Sequence, residues 1–306
     1  MIITVNLVKN FLESLSKSVI SNISPISGGD WSQAFFFTIG GKEKVARFSQ
    51  TDEDFLKDKF AHKFTSAKLP IPEIEKFGLA FGGYYAVSSR IAGKMIDNLS
   101  HNEMQLSLPA LFDLFNSLKT ADVSQTEGYG GWNANGQGQK KSWKSFLMSV
   151  NEDHATNRID WRPKLNKRPE ALAVFQKVYQ EIIRLLDYCP EDRHLIHNDL
   201  LHYNLIINNH QIAGVIDWGC SLYGDFLYDL AMFDLWQFYY PSMAGIDFKQ
   251  SAINYFQNHG LELKNFAERL KCYQCHLALD AIKYCSYKDN DKDLGLIINR
   301  VKDLID

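Results

Sequence analysis

The most constraining segment of the chain is HLIHNDLLHYNLIINNHQIAGVIDWG, residues 194–219. Two short β-rich runs, 205–207 and 212–216, flank the polar residues 208–211, and this pattern predicts a tight turn between two strands. If the strands pair antiparallel, Asn204 before the first and Asp217 after the second emerge at the same end. The segment therefore predicts a β-hairpin that presents an amide oxygen beside a carboxylate.

This combination of side chains suits magnesium, which prefers hard oxygen ligands and takes one or two carboxylates, with water and substrate phosphates completing its shell. Asp199 lies five residues before Asn204, in the loop that enters the hairpin. It can lie near a metal-bound phosphate without being a ligand, and can accept a substrate hydroxyl proton. We therefore predict Asn204 and Asp217 as metal ligands and Asp199 as catalytic base. In the alternative, all three are only turn residues.

The chain has 306 residues, which is long for one core and suits two lobes. Its 45% hydrophobic and 23% charged residues are typical of a soluble globular protein. No apolar run approaches the roughly 18 residues of a membrane helix, and the N-terminus lacks a signal-peptide pattern. We expect a cytoplasmic protein that does not bind membranes, with its five scattered cysteines reduced.

The charge distribution favours a small cationic substrate. The net charge of −3 argues against a strongly basic nucleic-acid binder. Residues 1–92 carry 11 Lys and Arg against 9 Asp and Glu, whereas residues 191–306 carry 10 against 16. A polyphosphate on the first part and a cation on the second would fit this asymmetry, although unevenly scattered surface charge is the alternative.

Residues 1–92 predict a small β-rich lobe and residues 93–306 a larger, mainly helical lobe. In the first, the expected elements are a helix, a hairpin, a helix and a strand, at 6–20, 33–48, 55–68 and 84–88, with a linker at 89–95. In the second, helices are expected at 102–120, 142–152, 168–188, 225–240, 247–258 and 264–286. The glycine-rich stretch at 128–139 reads as a long surface loop.

The hairpin segment resembles a known family. The pattern H-x-D-x-x-x-x-N followed by I-D, here from His197 to Asn204 and at Ile216-Asp217, resembles the aminoglycoside phosphotransferase and choline kinase superfamily, distant relatives of protein kinases. The segments LPIPE, SQTEGYG, QKKSWKSFL, CPEDRHLIH, VIDWGCSLYGDFLYDLA and LDAIKYCS are similar, in order, to hygromycin B phosphotransferases. The likeness covers most of the chain and implies a bilobal, α+β, protein-kinase-like fold.

The resemblance also implies nucleotide contacts. Arg47 stands where kinase-like proteins place a phosphate-binding lysine, and Asp58 where the partner helix offers glutamate, so an ion pair is expected; an ordinary surface salt bridge is the alternative. The segment at 27–32 stands at the nucleotide-positioning loop, with a plain turn as the alternative. Ser88 to Ile91 would pair with adenine. ATP and Mg²⁺ are the implied cofactors, with GTP in place of ATP left open.

The implied activity is phosphorylation of a hydroxyl on an aminoglycoside or aminocyclitol antibiotic, which would confer resistance. Asp234, Asp280 and the loop at 127–142 are candidate substrate contacts. Asp225 and Asp229 are expected to brace the catalytic loop, residues 197–204, and to cap a helix, with substrate contact as the alternative. A kinase of another small amine, amino sugar or natural product is the alternative within the class. A nucleotide-binding module without turnover is the alternative outside it. The oligomeric state is left open.

Two further patterns favour structural roles. Cys272 and Cys275 form a C-x-x-C-H motif with His276, but they lie in an amphipathic helical pattern and are expected to be core-facing thiols. The aromatic residues Trp218, Trp236, Tyr239 and Tyr240 suit either a sugar-binding wall or a helical core stripe.

Overall fold

The computed structural model describes residues 3–27, 32–153 and 159–305. The helices are α1 Val5–Ser16, α2 Glu53–Ala61, α3 His101–Thr120, α4 Trp143–Met148, α5 Arg162–Asn166, α6 Pro169–Leu185, α7 Leu227–Trp236, α8 Phe248–Asn258, α9 Phe266–Tyr287 and α10 Asp291–Ile305. The strands are β1 Ile20–Ile26, β2 Ser32–Ile39, β3 Lys42–Ser49, β4 Ile74–Ala80, β5 Gly83–Ser89, β6 Lys94–Met95, β7 Tyr129–Trp132, β8 Gly138–Lys140, β9 His194–Ile196, β10 Leu205–Asn208, β11 Gln211–Val215 and β12 Leu222–Gly224.

The chain divides into two compact units. The first comprises Met1–Ser117, Asn133–Gln137 and Asp199–Cys220, and the second comprises Leu118–Trp132, Gly138–Asn198 and Ser221–Asp306. The β10–β11 hairpin belongs to the first unit, where β10 also pairs with β6. This division differs from a boundary at residue 92, and the lobes 1–92 and 93–306 stay a prediction.

A five-stranded antiparallel sheet with strand order β1-β2-β3-β5-β4 dominates the first unit. The predicted hairpin at 33–48 is confirmed as β2–β3, and its turn residues Gly40 and Gly41 adopt φ of 55° and 76°, which glycine reaches without strain. Phe35 and Phe48 of this sheet are buried in one core cluster with Leu12 of α1. Alternate side chains of the strands and the apolar face of α1 thus form this core.

Two helix boundaries in the first unit were predicted wrongly. The helix expected at 6–20 ends at Ser16, where Lys17 takes a left-handed φ of 54°, and Ile20 begins β1. Pro25 lies inside β1, which is possible because this strand is at the sheet edge, where a missing N–H costs no ladder bond. The helix expected to extend to residue 68 ends as α2 at Ala61.

The predicted hairpin at 205–216 is confirmed. Leu205 pairs with Val215 and Asn208 with Gln211, and β10 also pairs with β6 on its other side. The turn residues Asn209 and His210 both have positive φ, 48° and 60°, as a two-residue hairpin turn of type I′ requires.

The second unit is mainly helical, with a four-stranded sheet of order β8-β7-β12-β9. The predicted loop at 128–139 is wrong, because β7 and β8 form a short hairpin there and Trp132 is fully buried. Gly128 and Gly130 have positive φ, 72° and 69°, which interrupts the regular strand conformation. The sequence here therefore lacks the alternation of apolar and polar residues that indicates a strand. All six predicted downstream helices are present as α3, α4 and α6–α9, several of them shorter; α5 and α10 were not predicted.

Cys272 and Cys275 are buried on α9, as expected of core-facing thiols. In the described part of the chain, no helix combines the length and the apolar character needed to cross a bilayer.

Candidate active site

The end of the β10–β11 hairpin brings Asn204 and Asp217 together, as the sequence predicts. The amide of Ile216 donates to the carbonyl oxygen of Asn204 at 3.0 Å, so the residues that flank the two strands are held side by side. Asp217 has a positive φ of 61°. This conformation is energetically unfavourable for any residue other than glycine, and it occurs most often at functional sites.

Asn204 is tied to Asp199 through its side-chain amide. Its Nδ2 donates to the Asp199 carbonyl oxygen at 2.8 Å and to Asp199 Oδ2 at 2.9 Å, which uses both N–H groups. The amide oxygen of Asn204 is therefore the atom left to face a cation. The same bonds fix the orientation of the Asp199 carboxylate.

The second oxygen of Asp199 lies 3.0 Å from Nδ1 of His202. The Asp199 side chain is nevertheless 30% exposed, so a hydroxyl group in solution can reach it. The structure thus combines an oriented carboxylate with access from outside. His202 was missed as a contact of Asp199 in the sequence, where its i+3 spacing from Asp199 was the available signal.

The predicted ion pair between Arg47 and Asp58 is present. Arg47 on β3 donates through its NH2 group to Oδ2 of Asp58 on α2, and the Asp58 side chain is only 8% exposed. It is therefore not an ordinary surface salt bridge. Its contribution to nucleotide binding stays a prediction.

Helix α2 also holds the segment that follows Asp217. Oδ1 of Asp58 accepts the amide of Trp218 at 2.7 Å, and the buried Lys57 donates through Nζ to the carbonyl oxygen of Gly219. Two consecutive helix residues thus bind two consecutive residues of the turn. Lys57 was missed because its partner is a backbone carbonyl 162 residues away, for which no residue type is diagnostic.

The carboxyl group of Asp217 has a perturbed pKa. Desolvation raises this pKa to about 6 and the charge of Asp58 adds to the effect, while Arg47 opposes it. A cation bound beside Asp217 would favour the charged form. Among the described side chains, no group of three or more His, Cys, Asp or Glu is placed to hold a metal ion.

The residues directly before Asp199 are braced as predicted. Asp229 accepts the amide of His197 at 2.9 Å and that of Asn198 at 2.8 Å. Asp225 instead lies in a buried ion pair with Arg269, and its Oδ1 also accepts the amide of Leu227 at the start of α7, at 3.2 Å. Bracing of the loop is thus confirmed for Asp229, whereas Asp225 binds the first amide of α7, in line with the expected helix cap.

The other predicted nucleotide contacts are placed as follows. Ser88 lies near the end of β5, and the Ile91 side chain packs over Gly214, where an added Cβ would lie 2.3 Å from Ile91 Cδ1. Their role toward adenine stays a prediction. Of the segment at 27–32, residues 28–31 lie outside the described residues.

The two predicted substrate contacts differ in accessibility. Asp234 is buried, and Gln274 Nε2 and Lys249 Nζ bind its carboxylate, the latter at 3.2 Å. Asp280 is 65% exposed, with Lys283 Nζ at 3.0 Å. Only Asp280 is open to a solute, and substrate contact stays a prediction for both. Trp218 and Trp236 are buried, which favours the core interpretation for them.

Residues 22–252 match the profile of the phosphotransferase enzyme family. The chain belongs to this family. Hygromycin-B 4-O-kinase from Escherichia coli is 30% identical to it over 293 residues, which cover 95% of this chain and 82% of that enzyme. The resemblance to aminoglycoside phosphotransferases is thereby confirmed.

Solved structures of this family share the fold. The crystal structure of aminoglycoside phosphotransferase APH(4)-Ia superposes with a TM-score of 0.86 at 27% identity, covering 99% of this chain and 98% of that one. A ternary complex of a thermostable mutant of that protein with AMP-PNP and hygromycin B gives 0.85 at 28% identity, covering 97% of each chain. Spectinomycin phosphotransferase APH(9)-Ia, at 14% identity and 0.61, shares the fold alone and covers 100% of this chain and 96% of that one. The predicted α+β, kinase-like fold class is confirmed.

Proposed function

We propose that this phosphotransferase transfers the γ-phosphoryl group of ATP to a hydroxyl of hygromycin B or a closely similar aminocyclitol. The observation that carries the proposal is the match to hygromycin-B 4-O-kinase over 95% of the chain. The arrangement of Asp199, Asn204 and Asp217 supports it, because the base and both candidate metal ligands are present and adjacent.

Asp199 would act as the general base. The acceptor hydroxyl gives its proton to the carboxylate as its oxygen bonds to the γ-phosphorus, and the bond from that phosphorus to the oxygen of ADP breaks. The bond from Asn204 Nδ2 to Asp199 Oδ2 holds the carboxylate in one orientation, which reduces the cost of reaching the reactive geometry.

The side chains fit Mg²⁺ because they offer hard oxygen atoms, one from the amide of Asn204 and the others from Asp217. A bound Mg²⁺ would neutralise the charge that develops on the transferred phosphoryl group. Arg47 would bind the nucleotide phosphates, since Asp58 engages its NH2 group and the guanidinium carries further N–H donors.

A cationic acceptor suits the charge of the C-terminal part, where residues 191–306 carry 16 acidic and 10 basic side chains. Attraction at exposed sites is screened beyond about 8 Å at physiological salt. Asp280 is the more accessible of the two candidate contacts, since Asp234 is engaged by Gln274 and Lys249.

Arg47 and Asp58 are expected to act as one unit in nucleotide binding. In a double-mutant cycle to alanine, measured as ATP affinity by calorimetry with Mg²⁺ present, the double variant should cost less than the two single changes together, by about 0.5–3 kcal/mol. Asp58→Ala should be the more damaging single change, because it also releases the Trp218 amide.

The exposed pair Lys302 and Glu170, 2.8 Å apart, supplies the control cycle, for which no variant should change ATP affinity. If the effects of the two single changes on ATP affinity add strictly, the Arg47 and Asp58 side chains act independently in ATP binding.

The purified protein is expected to phosphorylate hygromycin B when supplied with ATP and Mg²⁺, and its expression should protect a sensitive bacterium. The measurements are a coupled assay of ADP release, mass spectrometry of the product and growth on the antibiotic. The acceptor KM should rise with ionic strength, because opposite charges attract less as salt increases. An Asp199→Asn strain is the control that separates catalysis from sequestration.

A panel of other aminoglycosides, choline and amino sugars tests the acceptor class in the same assay. Transfer to choline or an amino sugar but to no aminoglycoside would overturn the antibiotic assignment while keeping the chemistry. Binding of ATP without transfer to any acceptor would instead favour a non-catalytic module.

A further inference from the structure

A short strand carries Asp97 to the catalytic loop. β6 pairs with β10 through Met95 opposite Ile206 and Lys94 opposite Ile207, and a single 3₁₀ turn, Ile96–Asn98, follows β6 directly. Since β10 begins right after Asn204, this pairing places the turn next to the residues that precede the strand.

Gly93 permits the close approach. It has a φ of 153°, and an added Cβ would lie 2.5 Å from the carbonyl oxygen of Ile207 and 2.7 Å from a side-chain carbon of Ile206. Only a residue without a side chain lets the backbone lie so near β10. The close contact at Gly93 therefore restricts the position of the backbone that leads to Asp97.

Asp97 accepts two consecutive backbone amides of the catalytic loop. Its Oδ1 lies 3.0 Å from the amide nitrogen of His202, and its Oδ2 lies 2.9 Å from that of Tyr203. His202 and Tyr203 have φ of 62° and 69°, a left-handed conformation that residues with a side chain seldom adopt in succession. Successive amides in such a turn form a concave anion-binding site, here filled by the Asp97 carboxylate.

We propose that Asp97 is a positioning residue for catalysis, which fixes the left-handed turn at His202 and Tyr203 and thereby orients Asn204 and Asp199. This inference rests on the proposed function. Tyr203 is bonded covalently to Asn204, whose Nδ2 holds Asp199 Oδ2, and the ring of His202 contacts Asp199 Oδ1. Both oxygens of the base thus depend on a turn that Asp97 holds.

The role needs a carboxylate rather than any polar group. In the observed geometry each of the two amides donates to a different carboxylate oxygen. Asparagine in the same orientation would offer one acceptor oxygen to the first amide and turn its NH₂ group toward the second. Asp97→Asn therefore removes one hydrogen bond and places the new NH₂ group against a backbone N–H group, while it hardly changes the volume of the side chain.

Asp97→Asn is expected to lower kcat for phosphorylation of hygromycin B by about 10- to 100-fold, the scale of a misplaced catalytic group. The KM for hygromycin B should stay within about threefold, and the Kd of Mg·ATP should rise by about 3- to 10-fold because Asn204 shifts. Asp97→Glu retains two acceptor oxygens and should recover most of kcat. Asp122→Asn is the matched control, since Asp122 is an exposed carboxylate of the second unit that accepts the Ser124 amide at 2.9 Å.

The inference is overturned if Asp97→Asn keeps kcat and Mg·ATP affinity within twofold of wild type. It is also overturned if Asp97→Glu loses as much as Asp97→Asn, or if the loss matches a lower folded fraction found by thermal unfolding. If the wild-type protein transfers no phosphate to hygromycin B, the proposed substrate is wrong, and this result does not decide the role of Asp97. The Mg·ATP Kd of Asp97→Asn and Asp122→Asn then decides the role of Asp97, with an unchanged Kd for Asp97→Asn counting against it.

Discussion

Replacing Asp199 with asparagine is expected to lower kcat by about 100-fold or more while ATP affinity stays within a few fold, the scale of a lost general base. The amide oxygen of asparagine can still accept the bond from Asn204 Nδ2, so the loop keeps its conformation. What the variant loses is an atom basic enough to take the proton of the acceptor hydroxyl.

Single-turnover phosphate transfer and calorimetry with ATP separate the two effects for Asp199→Asn. Asp303→Asn, which changes an exposed carboxylate on α10, controls for the general loss of one negative charge. If Asp199→Asn turned over at a near-normal rate, Asp199 would have no part in proton removal.

Asp217→Ala is expected to abolish magnesium-dependent binding of ATP. Asn204 alone offers a neutral amide oxygen, which is a poor ligand for a hard dication without a carboxylate beside it. Calorimetry at pH 7.5 is suitable because the pKa of Asp217 is about 6, so the wild-type carboxylate is ionised there.

Titrations with ATP plus Mg²⁺ and with ATP plus a chelator distinguish metal-dependent binding from direct binding. Asp303→Ala should behave as wild type in both titrations. Equal Mg·ATP affinity for Asp217→Ala and wild type would place the metal elsewhere.

The β10–β11 hairpin could be predicted from the sequence because everything that defines it is local. Two β-rich runs, a polar turn and three polar residues at fixed spacing lie within 26 residues, and pairing of Leu205 with Val215 fixes the rest. The ion pair of Arg47 with Asp58 needed the family resemblance, since the strand and the helix that carry them are linked by no local pattern.

The contacts that support this site could not be predicted. Lys57 and Asp97 both bind backbone atoms, and a backbone carbonyl or amide leaves no signature in residue type. The two-residue strand β6 is too short for a periodic pattern, so its pairing with β10 left no signal in the sequence. Glycines with positive φ similarly concealed the β7–β8 hairpin.

Lys57 and Asp58 bind the turn that follows Asp217, so the conformation of this turn and the position of α2 are energetically coupled. If the affinity of a ligand depends on the conformation of this turn, binding of that ligand must also change the free energy of the contacts between the turn and α2, and a change in those contacts must alter ligand affinity by the same factor. Under the proposed function, a substitution in α2 that weakens these bonds should therefore change nucleotide affinity.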